Sequence, residues 1–425
     1  MSEIVGSEAV VARSESMPLR KDADFRWLAL GSMTSALGDQ LTMVAFPWLV
    51  LSLTSESWVL GLVFALIGLP RAVFILIGGA VVDRFSSKTV MLVSKYISFT
   101  VLSVATVLIF LEALTIPVLC LLSFLIGMSG AFSLPASRAI VPIVVGHRRL
   151  EKANGFLMVI GQLIMIVGPI IAGLILGNSV GKDTDSAALA ILFGFDAFTY
   201  AFSALTLFFV NCPKRVREGK SDRLLKSILH GVVTFWSNRP LRALTLYISV
   251  ASCIVGGLMQ LGLPLMVKDV FSGGGSSFGF LLAASGLGTT VGVVVASAKV
   301  RIGGLSLGVS FLVVDVLIGV LIVVLSGVQS LTSAFVVIFF MGLLGGYIHI
   351  GMISWVQKQA SQEMLGRMLS IIMFITMGLI PISSAIFGVL LKYASVESLF
   401  FGVGLILSVV AVMGLFSRDL RSIQS

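Results

Sequence analysis

The chain has 425 residues, of which 57% are hydrophobic and 12% charged, with a net charge of +9. A water-soluble domain carries about 25% charged residues, so a soluble globular fold is excluded. The positions of the basic residues, taken up below, exclude nucleic acid as a partner.

Residues 1–24 are polar and mixed in charge, with Glu3, Glu8, Glu15, Arg20, Lys21, Asp22 and Asp24. No short apolar core with a small-residue cleavage site follows, so a cytoplasmic tail is expected rather than a cleaved signal peptide. From there to residue 416 the chain is a succession of apolar runs, each near the roughly 20 residues a helix needs to cross hydrocarbon. Gly, Pro, Ser and charge punctuation divides them into about 12 spans. The expected limits are 25–51, 58–82, 88–112, 115–137, 153–177, 187–211, 241–267, 275–298, 304–326, 330–356, 366–391 and 397–416.

With the N-terminus inside, about 25 of the Lys and Arg fall on the inner face. Lys182, Lys268 and Lys392 fall outside, and Arg71 remains within a span. This bias orients the chain with both termini cytoplasmic, and the expected location is a bacterial inner membrane. The largest polar break, 212–240, begins "CPKRVREGKSDR". Its Leu225, Ile228, Leu229, Val232, Val233 and Trp236 share one face, as in an amphipathic helix lying on the membrane surface. It separates an N-terminal half, 25–211, from a C-terminal half, 241–416, with a short tail at 417–425. The expected fold is an all-α membrane protein of about 12 transmembrane helices in two six-helix halves, with a substrate site between them.

The loop after the second span reads "IGGAVVDRFSSK", in which Gly79, Asp83, Arg84 and Lys88 give G-x-x-x-D-R followed by a basic residue. This resembles the signature loop of the major facilitator superfamily, with Ser86 and Ser87 replacing the usual second glycine and next arginine. The stretch 36–84 is similar to the opening of the branch that holds macrolide-efflux-type pumps and the enterobactin exporter. "LPASRAIVPIVV" at 134–145 and "QKQASQEMLGRMLS" at 357–370 resemble further parts of it. The resemblance implies that Asp83 works in a cytoplasmic conformational latch, with Gly79, Arg84, Lys88, Arg138 and Arg367. In the fifth span Gly168, Pro169 and Gly173 resemble the antiporter motif G-P-x-x-G-G, with Ala172 in place of one glycine.

Charges inside a bilayer are costly and mark functional sites. Asp39 and Gln40 in span one, Arg71 in span two and Asp196 in span six are the candidates for proton coupling or substrate binding, with Asp315 in span nine a weaker one. Asp39 leads, either carrying a proton or holding a cationic group. The competing reading is a structural pair with Arg71 or Arg138. His349 in span ten is expected to be a packing residue, with a cavity-facing position the alternative. Cys120, Cys212 and Cys253 lie far apart without metal-ligand spacing, so no metal site is expected. No HExxH, GxSxG or Walker motif occurs, so the chain is expected to be neither an enzyme nor an ATP-driven pump, and to need no cofactor. The expected function is proton-coupled export of a small amphipathic compound, a drug or siderophore, by a monomer in the lipid bilayer. The alternatives are a lipid or lysolipid translocator and a metal-ion exporter.

Overall fold

A computed structural model describes residues 18–178, 185–212, 239–298, 306–359 and 362–423. Within these, α1 is Ala23–Leu53, α2 Ser57–Arg84, α3 Ser87–Phe110, α4 Ile116–Val145, α5 Leu150–Leu176 and α6 Ser186–Phe208. Further along, α7 is Arg239–Asp269, α8 Gly275–Ser297, α9 Leu307–Ser326, α10 Leu331–Gln359, α11 Gln362–Leu390 and α12 Val396–Leu415. Hydrocarbon offers the backbone no hydrogen bonds, so an apolar run of this length is driven to satisfy them within a helix. Side chains cap several starts: Asp22 accepts from the Phe25 N–H, Asp185 from Ala187, Ser306 from Val309 and Ser395 from Ser398.

The helix order matches the expected spans, with one instructive departure. The fourth span was expected to stop at 137, near Pro135, yet α4 continues through Pro142 to Val145. A missing N–H costs less than opening the helix inside the bilayer. The helix ends at Gly146, whose φ of 72° an L side chain rarely adopts. The basic linker expected at 212–240 lies, between Cys212 and Arg239, outside the described residues.

The packing repeats. In the first six helices α1 packs on α5 and α6, α2 on α4, and α3 on α4 and α6. In the second six the same pairs recur six places on: α7 with α11 and α12, α8 with α10, and α9 with α10 and α12. The two sets meet along two seams, α5 against α8 and α2 against α11. Glycines make the close approach possible. Gly279 lies against the Pro169 carbonyl and Gly68 against the Pro381 ring, while a Cβ at Gly61 would sit 2.7 Å from the Ser384 carbonyl. The Ser276 N–H donates to the Gly177 carbonyl at 2.9 Å, and the Ser276 hydroxyl donates to the Asn178 side chain. These contacts run from the ends of α5 and α11 at the face of the α1–α2 turn towards the helix middles.

On the peripheral helices Phe110 of α3, Phe198 and Phe208 of α6, Val324 of α9 and Met413 of α12 are exposed. A belt of this size on a soluble protein would aggregate; in a bilayer it meets lipid tails.

Candidate functional site

The site begins with α1, whose faces are set by its small residues. Gly31 packs against Thr206 and Ser203 of α6, and Gly38 against Asp196 and Thr199. With no side chain at Gly38, α6 comes close enough for Asp196 to be buried at 2% exposure. Its Oδ2 accepts a 2.6 Å hydrogen bond from the Thr42 hydroxyl, and its Oδ1 accepts one of 3.2 Å from Thr199. Asp196 is therefore sealed between two helices.

Asp39 has a different setting. It is exposed, and its Oδ1 accepts a 2.8 Å hydrogen bond from the Tyr200 hydroxyl on α6. Three residues earlier on the same α1 face, Ala36 lines a cavity of about 600 Å³ between α1, α4 and α5. Ser32, Ser137, Arg138 and Asn154 line it too. Residues three and seven apart share a helix face, so Asp39 lies on the face of Ala36 and Ser32, one turn beyond the lining. The neighbouring Gln40 lays its aliphatic stem on Gly168 of α5.

The sequence reading missed the residue that joins these two acids. Lys95, in the interior of α3, is 3% exposed. Its Nζ donates to the Ser35 hydroxyl at 3.1 Å and lies 5.4 Å from the centre of the Tyr200 ring. Its field reaches both Asp39 and Asp196. Sequence reasoning had counted Lys95 among the basic residues of the inner face. The available signal was its distance past Lys88, about 10 Å along the helix at 1.5 Å per residue.

Arg71 of α2 reaches Gly130 of α4, its field also reaches Asp39, and its buried Nε has no hydrogen-bond partner. No Asp39–Arg71 ion pair forms: the contact Asp39 makes is with Tyr200. Two carboxylates, one ammonium and one guanidinium sum to zero when all are ionised. One added proton leaves a net positive charge in a region of low dielectric, where it is felt strongly.

Of the latch residues expected from the sequence, Lys88 donates to the Phe208 and Val210 carbonyls at 3.1 and 2.8 Å. It caps the C-terminal end of α6, a favourable place for a cation. Arg84 is exposed beside the Phe85 ring, Gly79 has open space around it, and Arg138 lines the α1–α4–α5 cavity. The side chains of Asp83 and Arg367 lie outside the described residues. A contact the sequence did not suggest sits nearby, an ion pair of 2.7 Å between Asp22 and Arg149. The antiporter-like segment falls on a seam between the halves: Gly168 meets Gln40, and Gly173 meets Gly275 and Ser276 of α8. Among the described residues, no three His, Cys, Asp or Glu side chains group as metal ligands would.

A repeated six-helix bundle with buried charges of both signs defines a membrane transporter, and comparison with known proteins agrees. The model of the Major Facilitator Superfamily matches residues 28–385, and the chain belongs to that family. It is 25% identical over 403 residues to the multidrug efflux pump Tap of Mycolicibacterium fortuitum, covering 93% of this chain and 96% of the pump. To macrolide efflux protein A of Streptococcus pyogenes it is 25% identical over 246 residues, covering 57% of this chain and 58% of that one. The solved nucleoside transporter NupG superposes with a TM-score of 0.70 at 15% identity, over 92% of this chain and 98% of NupG. A bacterial homologue of the iron transporter ferroportin, in an inward-facing state, gives 0.69 at 16%, over 93% and 99%. These two structures speak to the fold alone.

Proposed function

We propose that this chain is a proton-coupled exporter of small amphipathic drug-like compounds, with Asp39 as the proton-exchanging group. The observation that carries the reading is the contrast between two acids of one cluster. Asp196 is sealed against Thr42 and Thr199, whereas Asp39 is exposed, one turn beyond Ala36 of the cavity wall, and held by one Tyr200 hydrogen bond. A coupling group must reach both a proton and the conformational change, and Asp39 is exposed on one side and bonded to α6 on the other. Adding a proton to Asp39 weakens its hold on Lys95 and Tyr200, which changes how α1, α3 and α6 attract one another. That charge change is the kind of bias that shifts a two-state equilibrium.

Drug-like cargo is supported by the likeness to the Tap and macrolide pumps. The energy suffices: one charge moved through about 100 mV is worth about 2.3 kcal/mol, or roughly a fiftyfold gradient. The two halves, 25–211 and 241–416, rock about the seams, and the face bearing both termini is cytoplasmic, in the bacterial inner membrane. The test is drug accumulation in a strain lacking its own pumps. Expression of this chain should lower accumulation of a lipophilic antibiotic, and dissipating the proton gradient should restore it. Unchanged accumulation across a panel of drugs, with the protein present in the membrane, would overturn the reading.

A further inference from the structure

We propose that the C-terminal half holds its own binding site for a lipophilic cation, in a cavity of about 470 Å³ between α7, α9, α10 and α11, with Asp315 as the counter-charge. The volume is within the range of small-molecule pockets. Most of the wall is apolar, including Phe311, Ile348 and Met352, and polar groups enter from Tyr247, Asp315 and His349. Methionine suits such a wall because it repacks around ligands of different shape.

Asp315 is the unusual member. It is 7% exposed, and the Tyr247 hydroxyl donates to its Oδ2 at 2.6 Å. Its Oδ1 makes no hydrogen bond with the described residues, yet is not sealed from the cavity. No lysine or arginine among the described residues pairs with it. A carboxylate in the membrane interior normally has a cationic partner. Here the cavity offers the place where a ligand supplies one.

The repeat of the fold strengthens the argument. Asp315 is the ninth residue of α9 and Lys95 the ninth of α3, the helix six places earlier. Each points at the helix that begins its half, Lys95 to Ser35 of α1 and Asp315 to Tyr247 of α7. The same helix position thus carries opposite charge in the two halves, and in the C-terminal one that charge suits a cation. The proposal concerns equilibrium binding, so it stands or falls separately from proton coupling and from the direction of transport.

Ethidium, a planar lipophilic cation whose fluorescence rises on leaving water, is a suitable probe. The titration uses purified full-length Asp39→Asn protein in nanodiscs, so that the α1 carboxylate contributes nothing. In that background Asp315→Asn, which keeps an acceptor for Tyr247, is expected to raise Kd at least tenfold. A second variant leaves the charge alone. Gly345 lines the cavity, and a Cβ there meets nothing within 4 Å, so Gly345→Leu adds bulk at the site. It too should raise Kd at least tenfold. No saturable ethidium binding in the background protein would overturn the proposal. So would a Kd within twofold of the background in either variant, and should Asp315→Asn fail to fold, Gly345→Leu decides alone.

Discussion

A lysine in the bilayer interior costs several kcal/mol unless its charge is answered, and at Lys95 two carboxylates and an aromatic face answer it. Lys95→Met should therefore leave Asp39 and Asp196 uncompensated. Losing one partner of a buried charge cluster costs about 3–5 kcal/mol. The expected outcome is poor yield and loss of transport, with Lys95→Met/Asp196→Asn recovering yield as measured by size-exclusion chromatography. Failure of the double variant to recover would mean that Lys95 acts outside this cluster. Gly38→Ala drives a methyl group into Asp196 and Thr199. Overpacking of this kind costs about 1–3 kcal/mol, seen as a lower midpoint of thermal unfolding in detergent. Asp39 was legible in the sequence because an acid in an apolar run is conspicuous. Its partner was not, because Tyr200 lies 161 residues away and only the α1–α6 packing brings the two together.

At the scale of the helix, entry and exit points are tied by polar contacts that pattern reading does not reach. Asp22 caps α1 through the Phe25 N–H at 3.2 Å and pairs with Arg149, just before α5, at 2.7 Å. Asp24 accepts from the Asn211 N–H, beyond α6, at 2.8 Å. Together they gather the termini-bearing ends of α1, α5 and α6. Asp22→Ala removes a cap worth about 1 kcal/mol and takes the carboxylate from a buried guanidinium. The midpoint of thermal unfolding should fall by several degrees, and by more than in Asp22→Asn, which keeps the cap. Equal falls would remove the ion pair from the stability of this region. Helix number and order were legible, since about 20 apolar residues leave little choice in lipid. The end of α4 was not, because the charge of Arg138 falls where a span is expected to end, whereas the packed bundle carries the helix on past it and through Pro142.

For the whole molecule, the seams are where the proposed rocking of the two halves would act. Gly279 sits on the Pro169 carbonyl with Gly173 Cα only 3.0 Å from where its Cβ would be. Gly279→Val should pry α5 from α8 and shift the population away from the arrangement described here. Paired spin labels across that seam should report a longer distance in the variant; an unchanged distribution would count against the seam as the moving interface. The resemblance of residues 168–173 to an antiporter motif pointed to this segment, but not to its partner α8, which lies in the other half. The claim on which the rest depends is that Asp39 exchanges the coupling proton. It is tested most directly by drug uptake into inverted membrane vesicles, with and without an imposed pH gradient, for the wild type and Asp39→Asn. Wild-type vesicles should accumulate drug only with the gradient, whereas Asp39→Asn should retain exchange of labelled drug down its concentration gradient and show no pH-driven accumulation. Full pH-driven accumulation by Asp39→Asn would contradict the claim.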